Sequence, residues 1–164
     1  MHRSELMFEH TEHTLNAQVP RAATWLGASG LIPFVAGAAA LWMLPTAHTS
    51  IAADVLIGYG AIILTFMGAV HWGLAMARGA APGMARWFAI SVVPALIGWC
   101  ALMMPPLTAL TMLALAFTAV FAMDNAAIAA GLAPAWYRRL RAPLTAAVVG
   151  SLAVASAALC FRLS

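Results

Sequence analysis

Residues 51–77 read IAADVLIGYGAIILTFMGAVHWGLAMA, the longest apolar run of the chain. One aspartate stands near its start and a His-Trp pair near its end, with four glycines between and after. As a helix these residues would extend roughly 40 Å at about 1.5 Å per residue. The hydrocarbon core of a bilayer needs only about 20 residues, so the stretch reads as a transmembrane helix with turns to spare. Take Asp54 as zero on a helical wheel. Gly58, Ala61, Thr65, Gly68, Trp72 and Ala75 then fall within about 60° of it. Bulky residues such as Val55, Tyr59, Ile62 and Phe66 fall opposite. Small residues allow helices to approach closely in lipid, so this face is the expected packing face, with His71 on its shoulder.

Composition agrees. Of 164 residues, 64% are hydrophobic and 8% charged, whereas about a quarter are charged in soluble domains. The net charge of +3 comes with eight arginines and no lysine. These arginines lie between apolar runs, as topology signals do, so they are no sign of nucleic acid. Cys100 and Cys160 sit in apolar runs and read as small buried hydrophobes. The N-terminal stretch is polar and acidic, without the apolar segment of a signal peptide, so the mature chain is expected to begin at or near Met1.

The chain divides into a polar tail, 1–23, and a five-helix transmembrane domain, 24–164, an all-α bundle. The spans are expected at about 24–44, 51–77, 87–103, 107–130 and 144–161. In the tail, EHTEH sets His10 and His13 three apart, but no further ligand set with zinc spacing follows, and no metal or other cofactor is assigned. Pro33 lies inside the first span and should kink it, leaving the Ser29 carbonyl without its helical donor. Thr49 or Ser50 is placed to cap the second span. Gly131 is placed to end the fourth.

Two ionisable residues fall well inside the spans: His71 and Asp124. Each stands seven residues before the end of its helix, at Arg78 and Gly131, so the two lie at similar depth. A carboxylate in lipid is costly and seeks a partner within the bundle. His71 and the Trp72 indole are the expected donors, with Asn125 and Thr65 behind them. Phe117, Phe121 and Asp124 share a helix face. Together with Met67 and Trp72 they would line a pocket for an apolar ligand with one polar group. The bland alternative is that His71 and Asp124 only join two helices. At the end of span four, Trp136, Tyr137, Arg138, Arg139 and Arg141 form an aromatic-basic cluster. Such a cluster would anchor the helix end on anionic lipid or meet a partner protein.

The run GAIILTFMGAVHWG (60–73), with LAPAWYRRLRAPLT (132–145), resembles the uncharacterised family of small five-span proteins that includes the mitochondrial transmembrane protein 69. The resemblance implies a bacterial inner membrane or a mitochondrial membrane. It brings no activity. Three functions are then open: binding of an apolar ligand or lipid between the helices, a role as partner or assembly factor of a larger membrane complex, and, with least support, a proton-coupled transporter or enzyme. Membrane lipids are partners in each.

Five spans put Arg3, Arg21, Arg78, Arg86, Arg138, Arg139 and Arg141 on one side and Arg162 on the other. Under the positive-inside rule the N-terminus is cytoplasmic and the C-terminus external. Reporter fusions after Arg86 and Arg141 should read cytoplasmic and one after Ser164 external. A cytoplasmic C-terminus would contradict this count of spans.

Overall fold

A computed structural model of the chain describes residues 19–79 and 81–163. All of the described secondary structure is helical: α1 (Arg21–Ser29), α2 (Ile32–Met43), a 3-10 turn (Thr46–His48), α3 (Thr49–Ala77), α4 (Met84–Ala101), α5 (Pro106–Ala129) and α6 (Trp136–Leu163). By length and composition these supply five candidate membrane spans, α1 and α2 together forming the first. The protein is an all-α bundle of transmembrane helices. His10 and His13 lie outside the described residues.

Helices α2, α3, α5 and α6 pack neighbour to neighbour in a closed ring, and α4 packs on its outside against α3 and α5. The core of the ring is leucine-rich, with Leu41, Leu56, Leu64, Leu110, Leu113 and Leu152 fully buried. Phe34 joins three helices, meeting Tyr59 edge-on at 5.1 Å and Phe117 at 5.7 Å between ring centres. Ile62, Phe66, Val55 and Leu115 stay exposed on the outside, where lipid is their solvent.

The buried face of α3 is not the one centred on Asp54. It runs through Ala53, Ile57, Gly60, Leu64, Met67, His71 and Ala75. Asp54, Thr65 and Trp72 lie on its exposed side. The true centre, near Leu64, is about 80° around the wheel from Asp54. Gly68 and Ala61 belong to both versions, and there α3 and α4 approach closely. A Cβ on Gly68 would lie 2.5 Å from the Ser91 backbone oxygen and 3.3 Å from the Pro94 ring. A Cβ on Gly98 would stand 3.0 Å from the Ala61 oxygen. Helices α3 and α4 therefore meet almost backbone to backbone, the approach that small residues permit in membranes.

Pro33 does more than kink the first span. The helix stops at Ser29 and restarts at Ile32, with Pro33 in the first turn of α2. The carbonyl that takes an outside donor is Gly30's rather than Ser29's, and the Tyr59 hydroxyl donates to it at 3.0 Å. At the far end of the same helices neither Thr49 nor Ser50 caps the start of α3, and what binds the ends together is Arg162. Its guanidinium donates to the Trp42 and Leu44 carbonyls (3.1 and 2.7 Å) and to the Thr49 hydroxyl (2.9 Å). The last carbonyls of α2 are thus satisfied from α6, which answers the need of a helix terminus for external partners. Gly131 ends α5 as expected. It has a positive φ of 69°, with Leu132 N–H donating to the Ala127 carbonyl and Gly131 N–H to the Ile128 carbonyl, the paired bonds of a glycine-terminated helix. Both cysteines are free, and Cys160 is exposed.

The α3–α4 contact yields a test. Gly68→Ala should lower thermal stability in detergent by roughly 1–3 kcal/mol, the usual cost of overpacking. Gly73, with nothing within 4 Å of its Cβ position, should gain or stay level on change to Ala, because alanine is the better helix former. Equal responses at the two sites would contradict the close crossing.

Candidate functional site

Among the described residues, Asp124 is the least exposed carboxylate. It lies on α5, 1% exposed, and two partners reach it from different helices. From α3, His71 Nε2 stands 3.2 Å from Oδ1, an ion-pair contact outside hydrogen-bond geometry. From α6, Arg141 Nε donates to Oδ2 at 2.7 Å. His71 Nδ1 meets the Met67 carbonyl one turn back, at 3.1 Å. From α4, the Trp87 ring lies parallel to the imidazole, 6.4 Å between centres. Tyr137, on the first turn of α6, faces Asp124 and Arg141 closely enough to interact with both. Three helices thus meet at one carboxylate, and a fourth, α4, covers the imidazole.

Local sequence explains the placement of Arg141. The stretch 134–143 reads as an interfacial loop, with three arginines between two prolines. Instead α6 begins at Trp136 and runs through Pro143. Arg141, Thr145, Val148, Leu152, Ala155 and Leu159 then follow one another at spacings of four and three, and all six are buried. The buried stripe of α6 simply begins with an arginine. Its aliphatic stem packs among apolar residues while the head meets the carboxylate. Arg138 and Arg139, outside that register, remain exposed. Arg141 is therefore no lipid-facing member of the basic cluster, and this corrects the sequence reading. The signal that could have found it was the register of the apolar row, read backwards from Leu152.

The remaining expected residues divide. Met67 contributes its carbonyl to His71. Trp72 does not join the site: it is 44% exposed and meets Phe88 edge-on at 4.9 Å. Asn125 donates to the Phe121 carbonyl of its own helix at 2.8 Å. Phe117 is buried toward Phe34, and Phe121 is half-buried. Trp136 and Tyr137 are half-buried and pack edge to face at 6.1 Å. His71, Asp124 and Met67 come together as a charged node, while Trp72 and Asn125 face elsewhere, so the apolar pocket drawn around them is not assembled at this point.

One feature of the node stands out chemically. Among the described residues, the buried side-chain polar atoms without a hydrogen-bond partner are His71 Nε2, Asp124 Oδ1, Arg141 Nη2 and Thr145 Oγ1. The first three belong to this node and Thr145 follows Arg141 by one turn of α6, and each parent residue is at most 7% exposed. Unsatisfied groups are rare in native interiors and ask for a reason. Seven residues beyond His71 and Asp124, the Arg78 guanidinium bonds the Gly131 carbonyl, tying the end of α3 to the end of α5.

The relatives of the chain fit this architecture. The family described as "Protein of unknown function (DUF3429)" matches residues 19–157. Transmembrane protein 69 of Xenopus tropicalis is 35% identical over 136 residues, 81% of this chain and 53% of that protein. The chain thus spans about half the length of this curated relative. No solved structure matches. With the matched segment running from α1 into α6, the chain belongs to the DUF3429 family of membrane proteins of unknown function.

Proposed function

We propose that the protein is a non-enzymatic membrane protein that holds an apolar ligand, or one chain of a lipid, between its helices, and that the site is the groove between α2 and α3. The observation that carries this reading is the cavity there, about 440 Å³ in volume. Ligand pockets commonly measure roughly 300–1,000 Å³. Pro33, Gly37 and Ala40 of α2 line it, with Ile51, Val55 and Leu56 of α3. Only His48 and Tyr59 among its lining residues carry polar side chains. The Tyr59 hydroxyl is already committed to Gly30, so the groove suits an apolar chain with its polar end toward His48. Small residues on α2 and the helix restart at Pro33 open this space, and Arg162 closes the helix ends beside it. The membrane concerned is the bacterial inner membrane, or a mitochondrial membrane in a eukaryote.

A second reading is a role as partner or assembly factor of a larger membrane complex. The observation that favours it is the exposure of Arg138 and Arg139 at the start of α6, beside the half-buried Trp136. The two readings part in one experiment. Purified protein in phosphatidylcholine bilayers is labelled with a photoreactive palmitate analogue, and co-purifying proteins are scored by native mass spectrometry. Labelling should map to the groove residues of α2 and α3. Ala36→Trp, which fills the groove, should cut it roughly tenfold, since displacing two methylenes at about 0.8 kcal/mol each already reaches that figure. Labelling spread evenly round the bundle, and indifferent to Ala36→Trp, would overturn the ligand reading. A stoichiometric protein partner lost on changing Arg138 and Arg139 to Ala would support the second.

A further inference from the structure

We infer that the folded protein keeps a proton bound inside the membrane, on His71 between the Met67 carbonyl and the Asp124 carboxylate. The inference rests on which groups can donate. A backbone carbonyl only accepts, so the imidazole nitrogen 3.1 Å from the Met67 oxygen, Nδ1, carries a hydrogen. A neutral imidazole has one N–H, which would leave Nε2 a bare acceptor. Yet Nε2 stands 3.2 Å from Asp124 Oδ1, and a carboxylate oxygen is also only an acceptor. Two lone pairs in a buried, low-dielectric site would repel at that distance. One proton between them turns the repulsion into a charge-assisted contact.

Arg141 Nε donates to Oδ2 at 2.7 Å, and an arginine does not lose its proton in a protein, so its cation already faces Asp124 and the further proton is better held on the imidazole. The proton therefore belongs to His71. Asp124 is then a single anion clamped between two cations, His71 from α3 and Arg141 from α6. Of the other groups that face the node, the Tyr137 side chain from α6 lies near Asp124, and Trp87 from α4 covers the imidazole face. His71 and Asp124 are each 1% exposed, so the proton exchanges only when the helices part. This is a site that stores a proton as a fixed ligand rather than one that relays it, and it is independent of the α2–α3 groove.

The test uses the full chain with His2, His10, His13 and His48 changed to Gln, so that His71 is the sole histidine. The protein is labelled with 15N-histidine and placed in phosphatidylcholine bilayers at pH 8, where a free histidine side chain is almost wholly neutral. Both ring nitrogens should read as protonated. One protonated and one bare nitrogen in the folded protein would overturn the inference. Asp124→Asn offers Nε2 a donor in place of an acceptor, and should return His71 to the neutral form. A folded Asp124→Asn protein whose His71 still carries two protons would also overturn it, since the retaining group would not be Asp124. On unfolding in dodecyl sulfate at pH 8, the sole-histidine protein should release about one more proton per chain than its Asp124→Asn counterpart. No difference would count against the inference. If Asp124→Asn does not fold, the nitrogen spectrum of the sole-histidine protein decides alone.

Discussion

A carboxylate held away from water must be neutralised by its neighbours, and in this bundle that requirement ties the helices together. Asp124 has 1% of its surface exposed. Its partners come from α3 and α6, elements that otherwise meet mainly through α2 and α5. The ion pair with Arg141 and the approach of His71 therefore act across the ring of four helices, at the end where most arginines lie. Ordinary interhelical hydrogen bonds in membranes average about 0.6 kcal/mol. A buried pair is different, since losing one partner strands the other charge at a cost of roughly 3–5 kcal/mol. The node fixes register more than it adds net stability. An apolar ring would hold together equally well, but in several rotations.

The opposite end is built on the same logic with weaker parts. Arg162 satisfies the last carbonyls of α2 and the Thr49 hydroxyl, and the Trp42 indole donates to the Val154 carbonyl at 3.2 Å. Between the two ends the packing is mostly apolar, with the Tyr59–Gly30 bond as an interhelical exception. There the sequence uses size alone, with Gly68 and Gly98 setting how closely α3 and α4 approach. Where small residues on α2 face α3 less tightly, the groove of about 440 Å³ remains. A rigid charged end, a capped opposite end and a loosely filled flank suit a protein that binds an apolar chain without disturbing its own fold.

Much of this was legible in the residues. Five apolar runs, the break near Pro33 and the glycine stop at Gly131 follow from local chemistry, and the equal depth of His71 and Asp124 follows from counting. The rotation of α3 does not. In lipid, leucine and isoleucine suit both the core and the outer surface, so a helix this uniformly apolar gives a wheel two plausible faces. The small-residue rule chose the one through Asp54, whereas the core is centred on Leu64. Arg141 was hidden for a related reason. Three arginines beside prolines look alike as letters, and only the register of α6 separates the buried one from its exposed neighbours. Once Arg141 supplies the counter-charge, neither Trp72 nor Asn125 is needed at Asp124, which is why the expected pocket did not form there.

Asp124 and Arg141 are coupled inside the bundle. The direct measurement is a double-mutant cycle on unfolding free energy in mild detergent, using Asp124→Ala, Arg141→Ala and the double change. Each single change should be strongly destabilising. The double should cost less than the sum of the two by about 1–3 kcal/mol, the range for contacting pairs. Additive losses would mean that the two charges do not meet, and would contradict the account of how the bundle is held in register.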